Sequence, residues 1–122
     1  MCKRLTLGLL IVLLMSSSVN ADFNLGLYRK LGQVPETKEK LRDYVTGVGR
    51  GIFWANVMLG VENKVRLFCM PKKLSLDEAI IQSLLDQEIK RPTSRRGEPY
   101  ENDTPIELIL TTAFINRFPC DK

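Results

Sequence analysis

From about Glu36 onward, Leu41, Val45, Val48, Ile52, Ala55 and Leu59 recur three and four residues apart, which sets them on one face of a helix. This is the longest element the pattern predicts. Gly47, Gly49 and Gly51 fall inside it and each costs a helix up to about 1 kcal/mol relative to Ala, which leaves room for a bend or break; Gly60 and Asn63 are suitable stop residues. A short extended stretch from Val65 to Met70 leads through Cys69 to Pro71, which disfavours helical backbone at Met70. Ser75 and Glu78 have capping-box spacing, and Leu76, Ile80, Ile81, Leu84, Leu85 and Ile89 then give a second helix a broad apolar face that ends at Arg91-Pro92. Thr93 to Asp103 is polar and turn-prone throughout and reads as the longest surface loop. Thr104-Pro105-Ile106-Glu107 repeats the start signal, with Pro at the first helical position, and points Ile106, Leu110, Ala113 and Phe114 at the core until Pro119 stops the helix before Cys120.

The N-terminal residues follow a different pattern. Lys3 and Arg4 precede an apolar run from Leu5 to Met15, and small and polar residues then end in Val19-Asn20-Ala21, the three-part pattern of a secretory leader. Cleavage is expected after Ala21. A membrane-spanning helix needs roughly 20 apolar residues, more than this run supplies, so a permanent anchor is the weaker reading. Ser16, Ser17 and Ser18 stand where a lipoprotein would carry its cysteine. The expected organisation is a signal peptide over 1–21, an N-terminal arm over 22–35 with Gly26, Gly32 and Pro35, and a helical domain over 36–122. The expected fold class is all-α, a small helical bundle.

Composition narrows the partners. Losing Lys3 and Arg4 leaves 16 of the 18 Lys and Arg against 14 Asp and Glu, a balance of +2, and the two signs are interleaved. Nucleic acid and anionic membranes reward clustered positive charge, so neither is an expected partner once the leader is cleaved. Cys2 leaves with the leader, and an even pair in an oxidising compartment, Cys69 and Cys120, is most simply a disulfide, the other reading being two separate buried thiols.

The chain has no histidine, which removes Ser-His-Asp and Cys-His mechanisms and most zinc sites. Carboxylate pairs alone can hydrolyse glycosides, but they need a cleft for which a domain this small has little room. No catalytic residue, metal or cofactor is expected, and the protein is read as a non-enzyme. The three glycines do not have the G-x-G-x-x-G spacing of a phosphate loop and suit close helix packing instead. Trp54 reads first as a core residue of the long helix and second as an interaction anchor beside Phe53. Asn102-Asp103-Thr104 matches a glycosylation acceptor but is read as part of the helix start. Arg95, Arg96, Glu98, Tyr100 and Glu101 are the partner-binding candidates, because loops on a rigid scaffold commonly carry recognition.

The ordered set Tyr44-x-x-Gly47-x-x-x-Gly51-x-x-Trp54-Ala55-Asn56, Phe68-Cys69-x-Pro71 and Phe118-Pro119-Cys120 resembles the Tai and Rap amidase-immunity proteins of type VI secretion, over about residues 40 to 120. The resemblance implies a periplasmic, helical, disulfide-linked protein that is a homodimer and binds and inhibits a cognate cell-wall amidase effector. A periplasmic stress or chaperone-like binding protein is the alternative.

Overall fold

The computed structural model describes residues 23–91 and 100–121, so the leader and most of the 93–103 loop lie outside the described residues. Among the described residues there are four helices: α1 (Leu25–Gly32), α2 (Pro35–Val61), α3 (Glu78–Lys90) and α4 (Ile106–Arg117). The expected all-α bundle closed by one disulfide is what forms.

The stretch expected to lead in as an arm holds α1 instead. Asn24 caps it by accepting from Leu27 N–H (2.9 Å), and Leu25 is fully buried in the core. What orders it comes from far along the chain: Leu25 N–H donates to Thr104 O (2.9 Å), Gly26 N–H to Asn102 O (2.8 Å), and Ile106 N–H returns to Phe23 O (3.1 Å). Asn102 also accepts from Arg29 Nη1 (2.7 Å), which gives the Asn-Asp-Thr sequence a structural role. Helix α4 starts on this pairing. Pro105 therefore stands at the N-cap, with no side-chain cap bond, and not at the first helical position.

Helix α2 runs unbroken through its glycines for 27 residues. It stops where Asn63 takes a left-handed conformation (φ 56°) and the N–H groups of Asn63 and Lys64 return to Gly60 O (3.2 Å) and Leu59 O (2.8 Å), a Schellman ending. Helix α3 begins later than the Ser75–Glu78 spacing predicts. Asp77 is the cap, accepting from Ile80 N–H (2.9 Å), while Glu78 pairs with Arg42 of α2 (2.6 Å).

Helices α3 and α4 pack most extensively on each other, and α2 lies across both. Their shared core is Leu25, Val45, Phe68, Ile81, Leu84, Leu85, Ile106, Ile109, Leu110, Ala113 and Phe114. Gly49 sets the α2–α3 approach, since a Cβ there would stand 2.6 Å from Ile81 Cγ2. Close packing is thus the right account of Gly49. Gly47 and Gly51 face open space.

Candidate binding surfaces

The connection from Glu62 to Asp77 contains no helix or strand, yet it is held at several points. Asn56, 5% exposed on α2, donates through Nδ2 to Phe68 O (2.9 Å) and accepts at Oδ1 from Leu67 N–H (2.8 Å) and Phe68 N–H (3.2 Å). That anchoring turns Phe68 inward to stack on Phe114, with ring centroids 4.8 Å apart. The next residue carries the disulfide. Cys69 is bonded to Cys120 (S–S 2.05 Å), and Cys69 N–H donates to Phe118 O (2.8 Å). A cross-link spanning 51 residues stabilises by about 4 kcal/mol in the chain-entropy model, a large part of a small domain's stability. Asn56, Phe68, Cys69, Phe118 and Cys120, which are far apart in sequence, therefore form one rigid end of the molecule.

Two surfaces flank this end. On the solvent side of α2, Gly47, Gly51, Trp54, Met58 and Val61 follow one another at spacings of four, three, four and three, which aligns them along one face. Trp54 is 62% exposed, so its first reading as a core residue is overturned: the helix turns it away from the bundle, with its ring edge-on to Phe53 (5.3 Å). Met58, Val61, Val65 and Leu67 are also exposed and extend the apolar surface onto the connection. Ala55, assigned to the buried face, is exposed as well. Next to this stripe, one residue round α2, is a small cleft of about 190 Å³, lined by Phe53, Asn56, Val57, Arg66, Met70, Pro71, Lys72 and Leu74. A wider groove of about 600 Å³ lies at the far end of the molecule between α1, α2 and α3, where Arg29, Lys38 and Arg42 face Asp86.

Of the loop residues singled out for binding, Arg95, Arg96 and Glu98 lie outside the described residues, and Tyr100 and Glu101 lie within them. Tyr100 is half-buried and its hydroxyl donates to Glu88 Oε1 (2.8 Å), the oxygen that also accepts from Asn116 Nδ2 (3.1 Å). Arg91 Nε stands 3.6 Å from the other oxygen of Glu88. Burial first, and then the bond to Glu88 and its charge, push the Tyr100 phenol up to about 12. Tyr100 is thus a support at the loop's end, while the Glu101 side chain is exposed and its carbonyl accepts from Thr104 N–H (3.1 Å). One buried carboxylate, Glu88 at 3% exposure, meets residues on both sides of the loop.

Sequence reasoning quoted Asn56 only as a motif residue and Trp54 only secondarily as an anchor, and it passed over Arg66 and the continuation of the stripe through Met58 and Val61. The signal that could have found the stripe is the second register of apolar positions on the long helix, offset from the one that faces the core.

Among the described residues, no group of three or more His, Cys, Asp or Glu is placed to hold a metal ion, and no helix is long and apolar enough to cross a membrane. Comparison with known proteins finds no match among protein-family models, curated proteins or solved structures.

Proposed function

We propose that this protein works by adhesion in the periplasm, as an immunity protein that binds and inhibits a peptidoglycan amidase effector of type VI secretion. The observation that carries the reading is the rigid end built from Asn56, Phe68 and the Cys69–Cys120 bond, beside which Trp54, Met58, Val61 and Leu67 stand exposed. Monomeric soluble proteins rarely leave a contiguous apolar patch of this kind uncovered, and one rimmed by polar residues marks a protein interface. Aromatic and Met side chains are enriched in such interfaces. Inhibition asks for a firm surface that covers a cleft and needs no reacting group. Of the motif residues of the resemblance, Asn56, Phe68, Cys69, Phe118 and Cys120 meet at this end, which supports treating those five as one structural unit, while Tyr44 lies at the start of α4 against Glu107 and Phe23.

In this reading the 93–103 loop enters the effector's groove through Arg95, Arg96, Glu98 and Glu101, with Tyr100 as its support. The outer face of α2 is assigned to a second copy of the chain, so the exposed patch supports action through protein contacts, while the effector as partner comes from the resemblance. A two-fold antiparallel pairing centred on Trp54 sets Gly47 of one protomer opposite Val61 of its partner and brings Gly51 near the partner's Met58, small against large, and open space at the glycines admits those side chains.

The test is direct. The purified protein, mixed with the peptidoglycan amidase encoded beside its gene, should form a stable complex and stop peptidoglycan hydrolysis, and charge reversal at Arg95 and Arg96 should weaken that complex. Absence of any complex would sink the reading. Suppression of aggregation of unrelated proteins would favour the chaperone-like alternative, which the exposed apolar surface would also serve. Light scattering at micromolar concentration should give a dimer for the native chain and a monomer for Trp54→Asp.

A further inference from the structure

The cleft beside the rigid end has features that the loop and the dimer face leave unused. Its walls are apolar, from Phe53 and Val57 of α2 and from Met70, Pro71 and Leu74 of the connection. Its rim carries two cations, Arg66 and Lys72, and no acid is among the lining residues. Neither cation takes part in an ion pair among the described residues, whereas Glu62, the acid nearest in sequence to Arg66, is paired with Lys64 (2.7 Å). Small-molecule sites run to roughly 300–1,000 Å³, and this cleft, at about 190 Å³, is sized for a single side chain.

The guanidinium of Arg66 lies over Gly60. Along α2, Phe53, Val57 and Gly60 succeed one another at spacings of four and three, and the guanidinium of Arg66 occupies the position that a side chain at residue 60 would take. A Cβ at Gly60 would fall 2.6 Å from Arg66 Cζ, so the glycine forms a berth for the cation at the mouth of the cleft. The connection that forms one wall is fastened next to the cleft, because Asn56, itself a lining residue, holds Leu67 and Phe68 and the disulfide holds Cys69, the neighbour of Met70. A pocket for one apolar group with two exposed cations at its rim is complementary to a ligand that carries an apolar centre and negative charge beside it.

We infer that this cleft receives a segment of a partner protein that presents one bulky apolar side chain flanked by carboxylates. The side chain fills the space between Phe53, Val57, Met70 and Leu74, and Arg66 and Lys72 bind the flanking acids. The inference rests on the reading that the chain acts by binding another protein, and it assigns that partner an acidic, apolar-centred contact separate from the loop.

The probe is the amidated peptide Asp-Glu-Phe-Glu-Asp, titrated at millimolar concentration into ¹⁵N-labelled protein purified from the periplasm of an exporting host with its disulfide intact. Saturable shifts should appear at Phe53, Val57, Arg66, Met70, Lys72 and Leu74, and they should fail to saturate with Asp-Glu-Ser-Glu-Asp or Lys-Lys-Phe-Lys-Lys. The pair Arg66→Glu and Lys72→Glu should weaken the binding at least about tenfold, as lost charge complementarity does at protein interfaces. Gly60→Ala, which keeps the charge but displaces the guanidinium, should weaken it several-fold while leaving the amide spectrum folded. No saturable binding, shifts centred on the Arg29–Asp86 groove, or equal binding of the lysine peptide would overturn the inference. With the amidase itself, a wild-type complex indifferent to the Arg66 and Lys72 reversals would overturn the cleft and leave the immunity reading standing. If no amidase complex forms at all, the immunity reading falls and the peptide arm alone decides the cleft.

Discussion

Replacing Asn56 by Ala would strand the N–H and carbonyl of the buried Phe68 and free the N–H of the exposed Leu67, and each buried group left without a partner costs about 1–3 kcal/mol. The expected loss for Asn56→Ala is about 3 kcal/mol, read as a lower urea midpoint. Asn56→Asp should fare no better, because it keeps the acceptor but loses the donor to Phe68 O and places a charge in a buried position. A midpoint within experimental scatter of the native chain would show that the connection holds its course without this side chain. The same residue illustrates what periodicity misses. On an apolar scale Asn56 is a gap in the pattern, and its neighbour Ala55 was assigned to the buried face in its stead.

At the scale of the element, α2 is a helix with two apolar faces, and that explains both the success and the failure of the sequence reading. Its existence, its length and its Asn63 ending were legible, because they depend on local spacing and on the left-handed conformation that Asn tolerates. Its contact face was not fully legible, because the closest approach to α3 is made at Gly49, which scores as a helix breaker. The α1 helix was hidden for a different reason: its order depends on backbone bonds to residues 102–106, some 75 positions away, which no local signal announces. The start of α3 was misplaced because two caps compete and Asp77 wins over Ser75. The cleft was invisible in sequence, since Phe53, Arg66 and Leu74 meet only once the connection folds back along α2. The glycines supply the test. Gly49→Ala should destabilise by about 1–3 kcal/mol, because the buried Ile81 has no room to yield to the new methyl group. Gly47→Ala and Gly51→Ala should stabilise the isolated fold by up to about 1 kcal/mol each, since open space surrounds both. Thermal unfolding of the three variants under conditions that keep the chain monomeric distinguishes these signs, and equal effects at all three positions would refute the assigned face.

For the molecule as a whole, tyrosine–carboxylate bonds join elements a second time, outside the core they share. Tyr28 of α1 donates to Asp86 of α3 (3.4 Å), Tyr44 of α2 to Glu107 of α4, and Tyr100 to Glu88 of α3 (2.8 Å). All three phenols are pushed up to about 12: Tyr28 and Tyr100 chiefly by burial, Tyr44 chiefly by its bond to Glu107. A phenol with a raised folded-state value favours folding below its ordinary value of about 10, and that contribution fades as pH climbs toward 12. Stability should therefore be level up to about pH 10 with respect to these groups and fall between pH 10 and 12. Tyr44 is 40% exposed, so solvent screens its bond and its share of the fall is smaller. Absorbance at 295 nm checks the claim: tyrosinate should form near pH 12 in the native protein and near pH 10 in urea. Tyr28→Phe with Tyr100→Phe should flatten the alkaline loss of stability, because those two bonds join α1 and the end of the 93–103 loop to α3. Native tyrosines that ionise together near pH 10 would mean that these hydroxyls are free in solution and that the helices are held by their apolar contacts and the disulfide alone.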